Sequence, residues 1–257
     1  MSFPLFSGKH ALPAMINPQD IVAYRAQLGR APKVTELQGV LLCVERGLPR
    51  RLRRKIPIQT VGHMNGVLYG VKQTRNTVAV MAEFGGGSPT VAGLADEFAA
   101  LGARRMIVLT GGGALQPDLK IGDIVVCSQA LRDEGTSYHY LPPARSVAAD
   151  AGLVDRLAKA IQARGGQPSL GTTWTTDAGY RETFAEVSQY RSEGVKTVEM
   201  ECAALFAIGQ ARGVQTAAVV VVMDSLAGER WQVPQGLNSV QRSLDLAYAA
   251  AIDALSG

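Results

Sequence analysis

Short apolar runs alternate along this chain with stretches of helical periodicity, and that alternation limits the fold more than any other feature. Residues 39–43 (GVLLC) are apolar throughout, too short for a buried helix, and followed at once by charge and glycine. This is the pattern of a strand covered on both faces. Runs at 66–72, 77–82, 106–110, 123–128, 170–175, 197–200 and 216–223 read in the same way, the last being the most β-branched. The run at 106–110 is expected to end at Gly111-Gly112-Gly113. Helical periodicity occupies 17–28, the stretch after Thr90, 149–164, 201–213 and about 237–255, with Pro near some starts and Gly at some ends. Such alternation predicts an α/β fold, a central, twisted, mixed sheet flanked by helices. At 257 residues the chain suits one such domain, 39–257, preceded by an N-terminal arm with a short helix, 1–38.

Composition narrows the function classes. With 47% hydrophobic and 19% charged residues the chain is globular rather than disordered. Its 26 Lys and Arg barely exceed its 22 Asp and Glu, and much of the excess sits in Arg50, Arg51, Arg53, Arg54 and Lys55, with no aromatic residues interleaved. That is the pattern of a solvated face or subunit contact, and no nucleic-acid partner is expected. Cys43, Cys127 and Cys202 are far apart in apolar surroundings, so they form neither a disulfide framework nor a metal knuckle, and no metal site is expected with His10, His63 and His139. Residues 1–15 lack a signal-peptide pattern and every apolar run is broken before it could span a bilayer, so no membrane is expected and the cytoplasm is the predicted location.

In open α/β sheets, ligands bind beyond the carboxyl ends of strands. Glu45 and Arg46, Ser88 and Thr90 after Gly85-Gly86-Gly87, Gly111 to Gly113, Glu199, Glu201 and Asp224 all fall there. A glycine turn running into a helix offers backbone N–H groups to an anion such as phosphate. An ionised carboxylate, at Glu199 or Glu201, can accept hydrogen bonds from two sugar hydroxyls at once, although a solvated helix start is the alternative for either alone. Asp224 ends an apolar strand, where partial burial would let it hold a proton and act as an acid, or where it could cap the residues that follow. Trp174, Tyr180 and Phe184 are candidates to stack on a base, although for each taken alone core packing is the favoured reading. For Arg132 and Asp133 an internal ion pair or a subunit contact is expected.

Six stretches together resemble the nucleoside phosphorylases, the family that includes uridine phosphorylase, hexameric purine nucleoside phosphorylase and the methylthioadenosine nucleosidases. They are GGGSPT (85–90), TGGGALQPDLKIGDIVV (110–126), RDEGTSYHYLP (132–142), TTDAGYRE (175–182), VEMECAALF (198–206) and VVMDS (221–225), in family order across about residues 39–231. The resemblance implies reversible phosphorolysis of a nucleoside to free base and ribose 1-phosphate, with inorganic phosphate as co-substrate and no cofactor. It implies that Glu201 holds the 2′ and 3′ hydroxyls, that Met200 packs on the sugar with Glu199 nearby, and that His139 lines the sugar pocket. Asp224 would meet the base N7. Phosphate would lie among Arg46, Arg50, Gly86, Gly87, Ser88, Thr90 and Gly111, and the base beside Gly112, Gly113, Trp174, Tyr180 and Arg181. A homo-oligomer, dimer or hexamer, is implied, with the segment near His63 reaching a neighbouring site.

This chain departs from the family pattern at the phosphate. Val108 and Gly111 stand where phosphorolytic relatives carry Arg and Thr, and the partner Arg expected near His63 is not evident. Hydrolysis, with Glu45 activating water, is therefore the first alternative; uridine phosphorolysis and nucleoside binding without turnover follow. The Gln-x-Arg pair of uridine phosphorylases is not reproduced, and with Asp224 this favours a purine.

Overall fold

The computed structural model describes residues 3–34 and 36–257. Met1, Ser2 and Thr35, part of the stretch read as an N-terminal arm, lie outside the described residues.

In chain order the elements are α1 (Pro18–Gln27), β1 (Gly39–Cys43), α2 (Leu48–Leu52), β2 (Ile58–His63), β3 (Val67–Val71), β4 (Val78–Ala82), α3 (Ser88–Ala100), β5 (Arg105–Ala114), β6 (Ile124–Asp133), β7 (Ser146–Ala148), α4 (Ala151–Ala163), β8 (Ser169–Thr176), α5 (Phe184–Ser192), β9 (Thr197–Glu199), α6 (Cys202–Arg212), β10 (Gln215–Ser225) and α7 (Asn238–Ser256). The predicted alternation is present, and the sheet is mixed. Local chemistry explains the boundaries. Asp150 caps α4 by accepting the Leu153 N–H at 2.8 Å, and Thr183 with Glu186 forms a capping box at the start of α5. Gly213 ends α6 at φ 67°, in the left-handed region where a side chain would be strained.

Five strands close into a ring, β5–β10–β6–β8–β9 and back to β5. The parallel pair β1 and β4 extends from β5, and β3 and β2 add an antiparallel edge. Alternate residues of each inner strand face opposite layers. Val40 and Leu42 of β1, with Met106 and Val108 of β5, pack against Leu94 and Phe98 of α3 and Phe206 of α6. Leu41 and Cys43, with Ile107 and Leu109, pack against Leu157 of α4 and Tyr248 and Ile252 of α7. Val108, where phosphorolytic relatives carry Arg, is thus a fully buried part of the first layer.

One expectation is corrected. The three glycines do not end the fifth strand; β5 runs through them to Ala114. They are needed because the ring closes there. A Cβ on Gly112 would stand 2.5 Å from the Val198 carbonyl oxygen of β9 and 2.8 Å from Val220 of β10. A Cβ on Gly111 would stand 2.6 Å from the Met223 side chain. Met223 bulges out of β10, whose pairing with β5 shifts register between Val222 and Asp224 and so brings Asp224 opposite Gly113.

Candidate active site

A cleft of about 420 Å³ opens where β1, β5, β9 and β10 end, with Gly111, Gly112 and Gly113 along it. Five acids line it: Glu45, Glu182, Glu199, Glu201 and Asp224. Among the described residues, no Lys, Arg or His does.

Glu201 lies between β9 and α6 and is only 3% exposed. Its Oε1 accepts the Gly87 N–H at 2.6 Å, and its Oε2 accepts the Thr110 hydroxyl at 2.9 Å. Oε2 also accepts the Met200 N–H at 3.4 Å, so with two lone pairs on each oxygen it is Oε1 that retains capacity for a sugar hydroxyl. Glu199 holds this arrangement from behind. Its Oε2 accepts the N–H groups of Glu201 at 2.6 Å and Cys202 at 2.8 Å, donors that a helix start leaves free, and its Oε1 accepts the Thr175 hydroxyl. Burial raises the proton affinity of Glu199 and Glu201; the neighbouring Glu201 charge adds to the rise at Glu199, and the hydrogen bonds oppose it.

Glu45 follows β1 and is half-buried in the same cleft. Burial, then the charge of Glu201, raises its pKa above the ordinary carboxylate value. Asp224 is also partly buried and accepts the Trp231 indole N–H on Oδ2. Glu182 is a cleft residue that sequence reasoning missed. It sits in the loop between β8 and α5, one residue ahead of the Thr183 cap, and its pKa is raised to about 7 by burial, Asp224 and Glu186. An acid directly before a T-x-x-E capping box, just past a strand end, was the available signal.

The structure brings Gly86, Gly111, Gly112, Gly113, Glu199, Met200, Glu201 and Asp224 to the cleft, with Glu45. It does not bring the others. The Gly87 N–H is engaged by Glu201, and the Ser88 hydroxyl donates to the Met200 carbonyl at 2.8 Å, so this turn fixes the ribose-binding candidate rather than presenting a free anion cradle. Thr90 lies in the first turn of α3. Arg46 is exposed, and Arg50 pairs with Glu83 at 3.7 Å and Tyr69 at 3.2 Å. His139 packs edge-on against Phe3, 5.1 Å between ring centres. Trp174 is a core residue, 1% exposed, stacked edge-on against Tyr190 and donating to Asp133 at 2.9 Å. Tyr180, Arg181 and Phe184 are exposed and belong neither to the core nor to the cleft wall. Among the described residues, Arg132 and Asp133 form no ion pair; Arg132 lies over the Tyr138 ring at 4.2 Å and donates to Ser137 and to the carbonyl oxygens of Leu141 and Pro142.

The chain is similar to known proteins over most of its length. The family model described as the phosphorylase superfamily matches residues 42–255. The uridine phosphorylase of Treponema pallidum is 30% identical over 208 residues, 76% of this chain and 79% of that protein. The crystal structure of uridine phosphorylase from Vibrio fischeri superposes with a TM-score of 0.73 at 24% identity, covering 87% of this chain and 91% of the other. That of AMP nucleosidase from Bacteroides thetaiotaomicron gives 0.72 at 24% identity, covering 91% and 96%. At that identity the two structures speak for the fold alone, whereas the family match spans most of the chain. The chain belongs to the phosphorylase superfamily and is an enzyme of its nucleoside phosphorylase, or pentosyltransferase, family.

Proposed function

We propose that this chain cleaves the N-glycosidic bond of a purine nucleoside, with water as the acceptor activated by Glu45. The observation that carries the reading is the charge of the cleft, five acids and no cation among the described residues. As the bond breaks the sugar becomes oxocarbenium-like, and preorganised negative groups stabilise a developing cation. Glu201 grips the ribose hydroxyls, Met200 packs on the sugar, and Asp224 meets the departing base. The same charge disfavours a phosphate dianion, and the features that would offset it are missing: Val108 is in the core, and Met223 occupies the space beside Gly111. Burial makes Glu45 a stronger base than an ordinary carboxylate, as activation of water requires.

Phosphorolysis is the second reading, favoured by the family match and by relatives named for that reaction. It requires cations from outside the cleft, contributed by Arg46 or Arg50 after rearrangement or by a neighbouring copy. One experiment separates the two. A panel of adenosine, inosine, guanosine and uridine is incubated with and without phosphate, and free base and sugar product are measured. Release of base independent of phosphate, yielding free ribose, is expected. Strict dependence on phosphate, yielding ribose 1-phosphate, would make the second reading correct, and no release from any nucleoside would sink both.

A further inference from the structure

Three threonines stand together where β8 pairs with β9, in the interior, where apolar side chains would pack as well. Thr173, Thr175 and Thr197 are each 0% exposed, and the parallel register sets Thr173 against Thr197 and Thr175 against Glu199. Residues two apart on a strand share a face, so the three hydroxyls and the Glu199 carboxyl lie on one side of the pair. Valine has nearly the shape of threonine and avoids the cost of burying a hydroxyl, so packing alone does not account for threonine here. The hydroxyls are all engaged. Thr197 donates to Thr173 at 3.0 Å, Thr173 donates to the Thr197 carbonyl oxygen at 3.1 Å, and Thr175 donates to Glu199 Oε1 at 2.5 Å. Thr175 also accepts the Ala203 N–H at 3.0 Å, which fixes the direction of its own proton, since an amide N–H can only donate and an ionised carboxylate can only accept.

With Thr175 on Oε1 and the N–H groups of Glu201 and Cys202 on Oε2, Glu199 is a support rather than a contact for the sugar. What it supports is the peptide that carries Glu201. Glu201 has one lone pair left, on Oε1, and a single lone pair binds a hydroxyl well only when the carboxylate is correctly turned. Thr175 ties this support together, because its one hydroxyl joins β8 both to Glu199 and to the first turn of α6. It also keeps Glu199 an acceptor: burial, then the Glu201 charge, pushes that carboxyl toward protonation, and the Thr175 hydroxyl is the foremost of the hydrogen bonds that oppose this. We infer that Thr175 is a positioning residue for the ribose site: its hydroxyl holds Glu199, Glu199 holds the Glu201 main chain, and Glu201 thereby meets the ribose hydroxyls at a set angle. The inference rests on the ribose-binding reading of Glu201 and adds to it a residue of β8 that touches no ligand.

The test uses the full chain with Thr175→Val, Thr175→Ala and Thr175→Ser. Binding is measured by calorimetry with 9-deazaadenosine, a C-nucleoside whose base cannot be cleaved, and with its 2′,3′-dideoxy form; the ratio of the two affinities reads the grip on the hydroxyls. The wild type is expected to favour the hydroxylated form by about tenfold or more. Thr175→Val is expected to lower that ratio by about fivefold or more, and Thr175→Ser to keep it within about twofold. The acid limb of kcat/KM for adenosine is expected to move to higher pH by about one unit in Thr175→Val and to return in Thr175→Ser, because a carboxylate without that donor is protonated more readily. Should Thr175→Val fail to fold, Thr175→Ala set against Thr175→Ser decides, since both lack the methyl and differ in the hydroxyl alone. A preference unchanged in the variants that lack the hydroxyl, or a serine variant no better than they are, overturns the inference and leaves the cleavage reading in place. A wild type that prefers neither form removes Glu201 from the ribose site and the inference with it. A wild type that cleaves no nucleoside, yet loses its hydroxyl preference in Thr175→Val and keeps it in Thr175→Ser, leaves the inference standing and refutes the cleavage reading.

Discussion

Glu201 combines two duties, accepting from the Gly87 and Met200 N–H groups and the Thr110 hydroxyl and facing the cleft with the lone pair left on Oε1. Substitutions there should therefore separate by kind. Glu201→Gln is expected to lower kcat/KM on a nucleoside by roughly ten- to a hundredfold, the effect of losing a charged hydrogen bond of about 1.5–3 kcal/mol. Glu201→Ala is expected also to lower stability by about 1–3 kcal/mol, because it strands two buried donors. Steady-state kinetics and urea unfolding check the two; a Gln variant with unchanged kcat/KM would remove Glu201 from the ribose site. Glu45→Gln should reduce phosphate-independent cleavage by about a hundredfold or more if its carboxylate activates water. Four of the five cleft acids were legible in the sequence because they follow strand ends or stand in a family stretch. Glu182 closes the stretch 175–182 and precedes the capping box yet was not singled out, since its place on the wall comes from how the loop after β8 folds back, which no periodicity encodes. Of the two readings open for Trp174, core packing is the one found: its side chain faces inward and meets Tyr190.

At the scale of elements, β1 and the ends of the major helices were readable from local pattern, since apolar runs, caps and glycine stops are themselves local. The extent of β5 was not. Three consecutive glycines have the composition of a loop, and only the approach of β9 and β10 keeps them in a strand. This yields a prediction that local propensity would reverse. Exchanging glycine for alanine within a strand normally helps, yet Gly112→Ala is expected to destabilise the fold by about 1–3 kcal/mol or more, because the new methyl meets the Val198 backbone oxygen. Denaturant melts of the variant decide it, and equal or greater stability would mean that the ring closes less tightly than described. The short strand β7 and the helix α2 escaped notice because a few residues carry too little periodicity to register.

For the molecule as a whole, the buried acids set a pH dependence of stability. Glu182 titrates near 7 when folded, against 4.5 for an unhindered carboxyl, and burial raises Glu45, Glu199 and Glu201 in the same direction. Between those values the folded chain binds more protons than the unfolded one, so stability falls as pH rises through the window. The thermal midpoint is expected to rise when pH is lowered from about 8 to about 6, and Glu182→Gln should flatten that slope. A midpoint that falls over this interval would contradict the burial of these groups. Apolar side chains on the N-terminal segment, among them Leu5, Phe6, Met15 and Ile16, are exposed in the single chain. A homo-oligomer that covers them is expected, and sedimentation of the full chain against one lacking residues 1–16 measures it; an active monomer would exclude it. The closed ring has a further consequence, which concerns the order in which the protein can be made. Its β5–β10 pair joins Arg105 to Gln215, and such distant parallel pairing is among the slowest contacts for a chain to form. During synthesis Glu45 leaves the ribosome early, Glu201 much later, and the strand that delivers Asp224 follows both. Until then the glycine floor lacks its second wall, so a nascent or truncated chain carries most of the cleft acids but no enclosed place for a substrate.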